Sequence, residues 1–73
     1  MKRQKIKAKR TELKLTQKMM ADLLGISYDS YRKKETGVIE FSDNEKFRIG
    51  RILSLSQEQL DDYLFDGQFA QFK

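Results

Sequence analysis

Signals for helix ends recur at short intervals along this chain, and they constrain its fold more than any other feature. The candidate N-cap residues, whose hydroxyls can accept a hydrogen bond from a first-turn N–H, are Thr16, Ser27, Ser42 and Ser56. Ser42 and Ser56 also begin capping boxes, because a Glu or Gln follows each of them three residues later. The chain has no proline, so Gly25 and Gly37 are the predicted helix stops.

These signals predict an all-α fold of five short helices. The expected spans are residues 3–14, residues 16–24, residues 27–34, and two further helices that follow the capping boxes. Met20, Ala21 and Leu24 share one face of the second helix, so we expect them in the core. Nothing indicates a pair of strands, and no long loop remains. We therefore predict a compact five-helix domain over residues 1–66 and a short C-terminal tail over residues 67–73.

Charge is distributed unevenly along the sequence. Residues 1–18 contain eight Lys and Arg against Glu12 alone, whereas residues 56–73 contain four acidic residues against Lys73 alone. The basic end should attract polyanions, and the acidic end should face away from a phosphate backbone. A basic run taken alone is equally typical of a solvated tail. Other features must decide between these two interpretations.

Several classes of function are disfavoured by the residues that are missing. With no Cys and no His, the chain has no disulfide framework, no Cys or His zinc ligands and no Cys–His or Ser–His catalytic pair. We therefore expect neither an enzyme nor a metal site, and no cofactor or small-molecule ligand is evident. No apolar run approaches the ~20 residues of a membrane span, and no secretory signal follows the basic N-terminus. A cytoplasmic location is expected.

One stretch of the chain resembles a known family. Thr16-Gln17-Lys18-Met19-Met20-Ala21-Asp22-Leu23-Leu24-Gly25-Ile26-Ser27, followed by Glu35-Thr36-Gly37, is similar to the Cro and lambdoid-repressor type of helix-turn-helix protein, also called XRE-like. Lys9-Arg10 upstream, and Leu53-Ser54-Leu55-Ser56 with Leu60 and Leu64 downstream, extend the resemblance over residues 5–66. The resemblance implies that the third helix enters the major groove of double-stranded DNA while the second lies across it. Many members repress phage or bacterial operons, so it predicts a sequence-specific transcriptional regulator, most simply a repressor.

The resemblance also assigns groove contacts to the exposed face of the third helix, at Tyr28, Asp29, Arg32 and Lys33. Arg32 suits a bidentate bond to guanine, Tyr28 a thymine methyl or a phosphate, and Asp29 a cytosine amino group. Phosphate contacts are expected at Lys7, Lys9, Gln17, Lys18 and Thr36. Lys33 also suits phosphate, and Gln17 could instead brace the start of the third helix. For each residue the alternative is a merely solvated helix surface.

Arg10 and Glu35 are expected to form a structural ion pair, because the resemblance places them opposite each other between the first helix and the end of the third. Two departures from the family pattern affect the packing nearby. Lys34 stands where the family usually has an apolar residue, and the loop over residues 38–41 lacks its common proline and basic residues. Tyr31 is larger than the usual inward residue and could fill the missing volume, and Phe41 could do the same.

The C-terminal tail leaves two interpretations open. Phe65, Phe69 and Phe72 have helical spacing, but Asp66-Gly67 interrupts them as a helix end. These rings would pack on the core or form a homodimer contact, and the alternative is a flexible tail. A homodimer would bind a palindromic operator. The rival function is a protein-interaction adaptor that keeps the helix-turn-helix scaffold without binding DNA, using the tail or the loop over residues 38–41. A steep fall of duplex affinity with salt would favour DNA binding.

Overall fold

The computed structural model describes residues 1–68 of the chain, and this part consists of five helices joined by brief turns. The helices are α1 (Arg3–Glu12), α2 (Gln17–Leu24), α3 (Tyr28–Thr36), α4 (Asp43–Ile52) and α5 (Gln57–Leu64). No strand occurs within the described range. The predicted all-α, five-helix class is therefore confirmed. Phe69 and Phe72 lie outside the described residues, and the domain boundary after residue 66 stays a prediction.

All four predicted N-caps are confirmed at the helix starts. The hydroxyls of Thr16 and Ser27 accept hydrogen bonds from first-turn backbone N–H groups at 3.0 and 3.1 Å. Ser42 and Ser56 form complete capping boxes, in which the side chain three residues later accepts the N–H of the serine in return. Each cap satisfies N–H groups that have no partner inside the helix.

Two helix ends differ from the prediction. The first helix ends at Glu12, two residues earlier than expected, and Lys14 adopts a left-handed backbone with φ 60°. The third helix runs two residues further than predicted, to Thr36, before Gly37 ends it with φ 94°. Gly25 ends α2 in the same way, with φ 72°. Glycine is favoured at such sites because a Cβ would be strained there.

The core lies between all five helices. Its fully buried side chains are Ile6, Met20, Ala21, Tyr31, Ile49, Leu53 and Leu64. Ala21 is small enough for α2 and α3 to cross closely. Gly50 performs a similar role between α4 and α5, because a Cβ there would lie only 2.6 Å from the Leu60 Cδ1 atom. Burial of this apolar surface is the main favourable term for a domain of this size.

Three buried aromatic side chains, those of Tyr31, Phe41 and Phe65, complete the core. The Tyr31 ring lies 5.8 Å from the Phe41 ring, and Phe65 is buried with its ring 5.0 Å from Phe47. Phe65, the first of the three C-terminal phenylalanines, thus packs on the core. Lys34, at the position where the family usually has an apolar residue, is partly buried. Its ammonium is paired there, 2.9 and 2.8 Å from the two carboxylate oxygens of Glu45.

A long-range contact holds α4 against the second helix. The Arg48 guanidinium donates hydrogen bonds to the carbonyl oxygens of Leu23 and Leu24, both at 3.0 Å. These carbonyls belong to the last turn of α2, where no intrahelical donor is available. The arginine therefore fixes the end of α2 just before the turn into α3. Among residues 1–68, no helix has the length and apolarity needed to cross a membrane.

Candidate nucleic-acid interface

A tight turn sets the angle between α2 and α3. Gly25 takes the left-handed conformation, and the Ile26 N–H donates to the Ala21 carbonyl at 3.0 Å. Ile26 then packs against the core, and Ser27 caps the next helix. The chain thus turns within three residues, through a glycine, an inward apolar residue and a capping serine in succession. The start of α3 is fixed by local bonding as well as by packing.

The four predicted base-reading residues share the exposed side of α3. Tyr28 and Arg32 are separated by four positions, as are Asp29 and Lys33, so each pair lies one helical turn apart. All four side chains are solvent-accessible, whereas Tyr31 and Glu35 of the same helix point inward. An α-helix fits the major groove of B-form DNA with one face against the base edges. The exposed side chains of this face include hydrogen-bond donors and acceptors of the kinds that bind base edges.

Ion pairs link the charged members of that face. The Asp29 Oδ1 atom lies 2.6 Å from Arg32 Nη2, and Asp29 Oδ2 lies 3.0 Å from Lys33 Nζ. Hydrogen bonds from Lys33 and then from Arg32 hold the pKa of the Asp29 carboxyl below its ordinary value. The carboxylate is therefore ionised near neutral pH and shared between two cations.

A shallow basic concavity adjoins this face at the N-terminus of α2. Its lining residues are Lys7, Arg10, Thr16, Gln17, Lys18 and Tyr28. Three of the five predicted phosphate contacts, Lys7, Gln17 and Lys18, are thus brought together beside Tyr28. A helix N-terminus favours anions through its N–H groups and its dipole. The concavity suits a phosphate group of a polyanion.

The other two predicted phosphate contacts are not part of the concavity. Lys9 lies on α1 with its ammonium 3.7 Å from the Glu12 carboxylate. Thr36 ends α3, and its hydroxyl donates to the backbone carbonyls of Arg32 and Lys33 at 2.9 and 3.2 Å. Lys18, inside the concavity, also has a carboxylate partner, Asp22, at 2.8 Å.

Beneath the concavity, the Glu35 carboxylate connects three helices. The Arg10 guanidinium from α1 binds it in bidentate fashion at 2.9 and 3.1 Å, and the Gln17 amide from α2 donates to it at 3.1 Å. The Tyr31 hydroxyl, one turn earlier on α3, donates at 2.5 Å. Arg10 also donates to the Leu15 carbonyl at 2.8 Å. The Gln17 amide therefore braces the end of α3 and not its start.

Burial and hydrogen bonding act in opposite directions on this network. Desolvation alone would raise the pKa of Glu35, but hydrogen bonds from Arg10, Tyr31 and Gln17 outweigh it and hold that pKa below 4.5. Burial, together with the bond to Glu35, raises the pKa of Tyr31 far above its ordinary value of 10.0. Tyr31 thus stays a donor and Glu35 an acceptor, which fixes the positions of α1, α2 and α3.

Two supporting contacts have no obvious signal in the sequence. Lys34 pairs with Glu45 across the loop between α3 and α4, and Arg48 reaches carbonyls that lie 24 and 25 residues earlier. The Tyr31–Glu35 bond does have a signal, because residues four apart on a helix are neighbours. Over residues 1–68, no group of acidic side chains is arranged to hold a metal ion.

Comparison with known families identifies the central part of the chain. A family model described as helix-turn-helix matches residues 6–45. This segment extends from α1 into the first turn of α4. It contains the turn, the exposed face of α3 and both members of the Arg10–Glu35 pair. No curated protein and no solved structure matches the chain significantly.

Proposed function

The chain belongs to the helix-turn-helix family, of the Cro and lambdoid-repressor type, and from this premise we propose that it is a sequence-specific repressor of a phage or bacterial operon. Helix-turn-helix proteins of this type are DNA-binding transcription regulators. The observation that carries the proposal is the continuity of two surfaces, the exposed face of α3 and the basic concavity at the start of α2. Together they offer side chains for base edges and for the adjoining phosphates. The proposed place of action is the cytoplasm.

In the proposed complex, α3 lies in the major groove. Arg32 contacts a guanine through two N–H groups, Tyr28 contacts a thymine methyl or a phosphate, and Lys33 contacts a base or a phosphate. Asp29 lies on the same face, paired with Arg32 and Lys33. Lys7, Gln17 and Lys18 contact phosphate at the concavity. Lys9 and Thr36 contact phosphate outside the concavity. The acidic residues Glu58, Asp61 and Asp62 of α5 stay clear of the DNA because they repel its backbone.

The exposed apolar residues of the loop after α3 support a second candidate function. Val38 and Ile39 are both exposed, and a protein-interaction adaptor would use such residues to contact a partner protein. The two functions differ in their response to salt. Duplex binding that weakens steeply as salt rises supports the repressor, because phosphate contacts release counterions. Absence of duplex binding at low salt supports the adaptor.

The test of the proposed function begins with selection of a preferred site from randomised duplexes. Arg32→Ala should then weaken binding to that site by about 1–3 kcal/mol and binding to random duplex by much less. Arg51→Ala is the matched control, since Arg51 is an exposed arginine on α4; it should change neither affinity appreciably. Equal losses on the selected and random duplexes after Arg32→Ala would contradict base reading by Arg32.

A further inference from the structure

Asp29 has an unusual place on the proposed base-reading face, because it is a carboxylate on a surface that must approach phosphates. We infer that Asp29 is a positioning residue that makes Arg32 discriminate more strictly between base pairs, an inference that rests on the proposed function. Each of its carboxylate oxygens contacts a different cation of that face, Oδ1 the guanidinium of Arg32 and Oδ2 the ammonium of Lys33.

The contact with Asp29 restricts the conformation of the Arg32 side chain but leaves guanidinium N–H groups free to bind a base. Asp29 lies three residues before Arg32 on one rigid helix, and the contact of 2.6 Å joins Oδ1 to Nη2. An arginine side chain has many rotamers when it is unrestrained, and a charge-assisted bond selects among them. A guanidinium carries five N–H groups, so one bond to Asp29 leaves enough donors for a bidentate contact with guanine. The restraint lowers the entropy lost when that contact forms.

The two ion pairs contribute little to fold stability. The Asp29 side chain is 60% exposed and its two partners are nearly half exposed, and ion pairs so accessible to water contribute little to folding. The pairs do change the charge that the face presents. Asp29, Arg32 and Lys33 together carry one net positive charge, whereas Arg32 and Lys33 without the carboxylate would carry two. Random duplex, which is bound through phosphates alone, is attracted less strongly.

Asp29→Asn tests the inference because asparagine keeps the side-chain size and removes the charge. Measured against the unsubstituted protein, affinity for random duplex should rise by about three- to tenfold. The ratio of affinities for selected and random duplexes should fall by about tenfold, which is the discrimination expected from one base pair. Thermal unfolding followed by circular dichroism should be almost unchanged, because the residue is exposed.

Asp22→Asn is the matched control for removal of a charge. Asp22 is 63% exposed and pairs with Lys18 at 2.8 Å, but it lies on α2. The control should raise affinity for selected and random duplexes alike and leave their ratio unchanged. A fall in the ratio as large as that of Asp29→Asn would overturn the inference, since removal of any carboxylate would then have the same effect.

A double-mutant cycle separates positioning from direct base reading by Asp29. Introduced into the Arg32→Ala variant, Asp29→Asn should not lower the affinity ratio further, because there is no guanidinium left to position. An equal fall with and without Arg32 would show that Asp29 reads a base itself, and an unchanged ratio in the single variant would show no role in discrimination. Either result overturns the inference about Asp29 and leaves the proposed function intact. Failure of the unsubstituted protein to bind any duplex would instead overturn the proposed function.

Discussion

At the scale of single residues, Glu35 shows how a buried charge can specify a structure. Its carboxylate accepts hydrogen bonds from Arg10, Gln17 and Tyr31, which reach it from α1, α2 and α3. Desolvation of two charges offsets most of their attraction, so such a pair adds little net stability over an apolar contact of the same shape. Its directional bonds do specify how the three helices meet. The orientation of the proposed base-reading face of α3 depends on that arrangement.

Replacement of Glu35 by glutamine should lower stability and change its pH dependence. A carboxyl with a depressed pKa stabilises the fold above its ordinary value, here 4.5, and this contribution disappears as the pH falls through the lower folded value. The free energy of unfolding at neutral pH should therefore fall by roughly 3 kcal/mol, because Arg10 loses its buried counter-charge. Below about pH 4.5 the variant should lose less further stability than the unsubstituted protein.

Urea unfolding at a series of pH values measures both effects. Glu12→Gln is the control, since Glu12 is exposed and should leave the pH profile parallel to that of the unsubstituted protein. If the free energy of unfolding of Glu35→Gln falls with decreasing pH as steeply as that of the unsubstituted protein, other acidic groups, such as Glu45, account for the acid sensitivity.

Individual contacts could be predicted from the sequence only where a pattern pointed to both partners. The Arg10–Glu35 pairing follows from the family resemblance. The capping box predicts that Glu45 accepts the Ser42 N–H, but nothing indicates that Lys34 approaches the same carboxylate. The family pattern has an apolar residue there. Lysine is tolerated because its aliphatic stem can be buried while its ammonium finds a partner, and that partner lies eleven residues away.

At the scale of helices, starts are predicted more accurately than ends. An N-cap is a bond between a side chain and a backbone N–H three residues later, so its signal is local. The end of α1 depends on Lys14, which is left-handed without being glycine. No local sequence pattern predicts that a lysine will adopt this conformation. The predicted helix is accordingly two residues too long.

The exposed edge of α1 should contribute affinity without specificity. Lys7 lines the basic concavity, and Lys9 follows on the same helix with Glu12 as its partner. Replacing both lysines with alanine should weaken binding to selected and random duplexes equally. The slope of log affinity against log salt should become shallower by roughly 2, about one unit for each phosphate that is no longer neutralised.

Lys5→Ala provides the control on the same helix. The Lys5 ammonium lies over the Tyr63 ring, 6.0 Å from its centroid, on the side of α5. Its removal should leave the salt slope nearly unchanged. If the Lys7 and Lys9 variant keeps the original slope as well, both lysines lie off the DNA.

At the scale of the whole molecule, one short recognition helix is a weak basis for finding a site in a genome. It reads only a few base pairs, whereas two copies related by a two-fold axis multiply the discrimination. We therefore predict a homodimer on a roughly palindromic operator. The half-sites should lie about one helical turn, ~34 Å, apart. Selection from randomised duplexes would display this symmetry directly, and a single asymmetric site would contradict it.

We expect the contact of the predicted dimer to be made by apolar residues that the core leaves available. Phe65 and Phe41 are buried and cannot supply it, whereas Val38 and Ile39 are exposed; Phe69 and Phe72 lie outside the described residues. Deletion of residues 68–73 should reduce cooperativity on a two-half-site duplex and preserve affinity for a single half-site. Val38→Ser is the comparison variant. Full cooperativity after the deletion, with a loss in the Val38 variant, would assign the contact to the loop.

The Arg48 contact has a consequence for how this protein can exchange parts with others. The recognisable family segment ends at residue 45, yet the carbonyls that terminate α2 are satisfied by a side chain three positions beyond it. Recombination that joined residues 6–45 to a foreign C-terminal half would transfer the proposed base-reading face of α3 without the Arg48 contact that holds the end of α2. The smallest segment that keeps α3 in place through this contact therefore includes α4, although none of the proposed base-reading residues lies on α4.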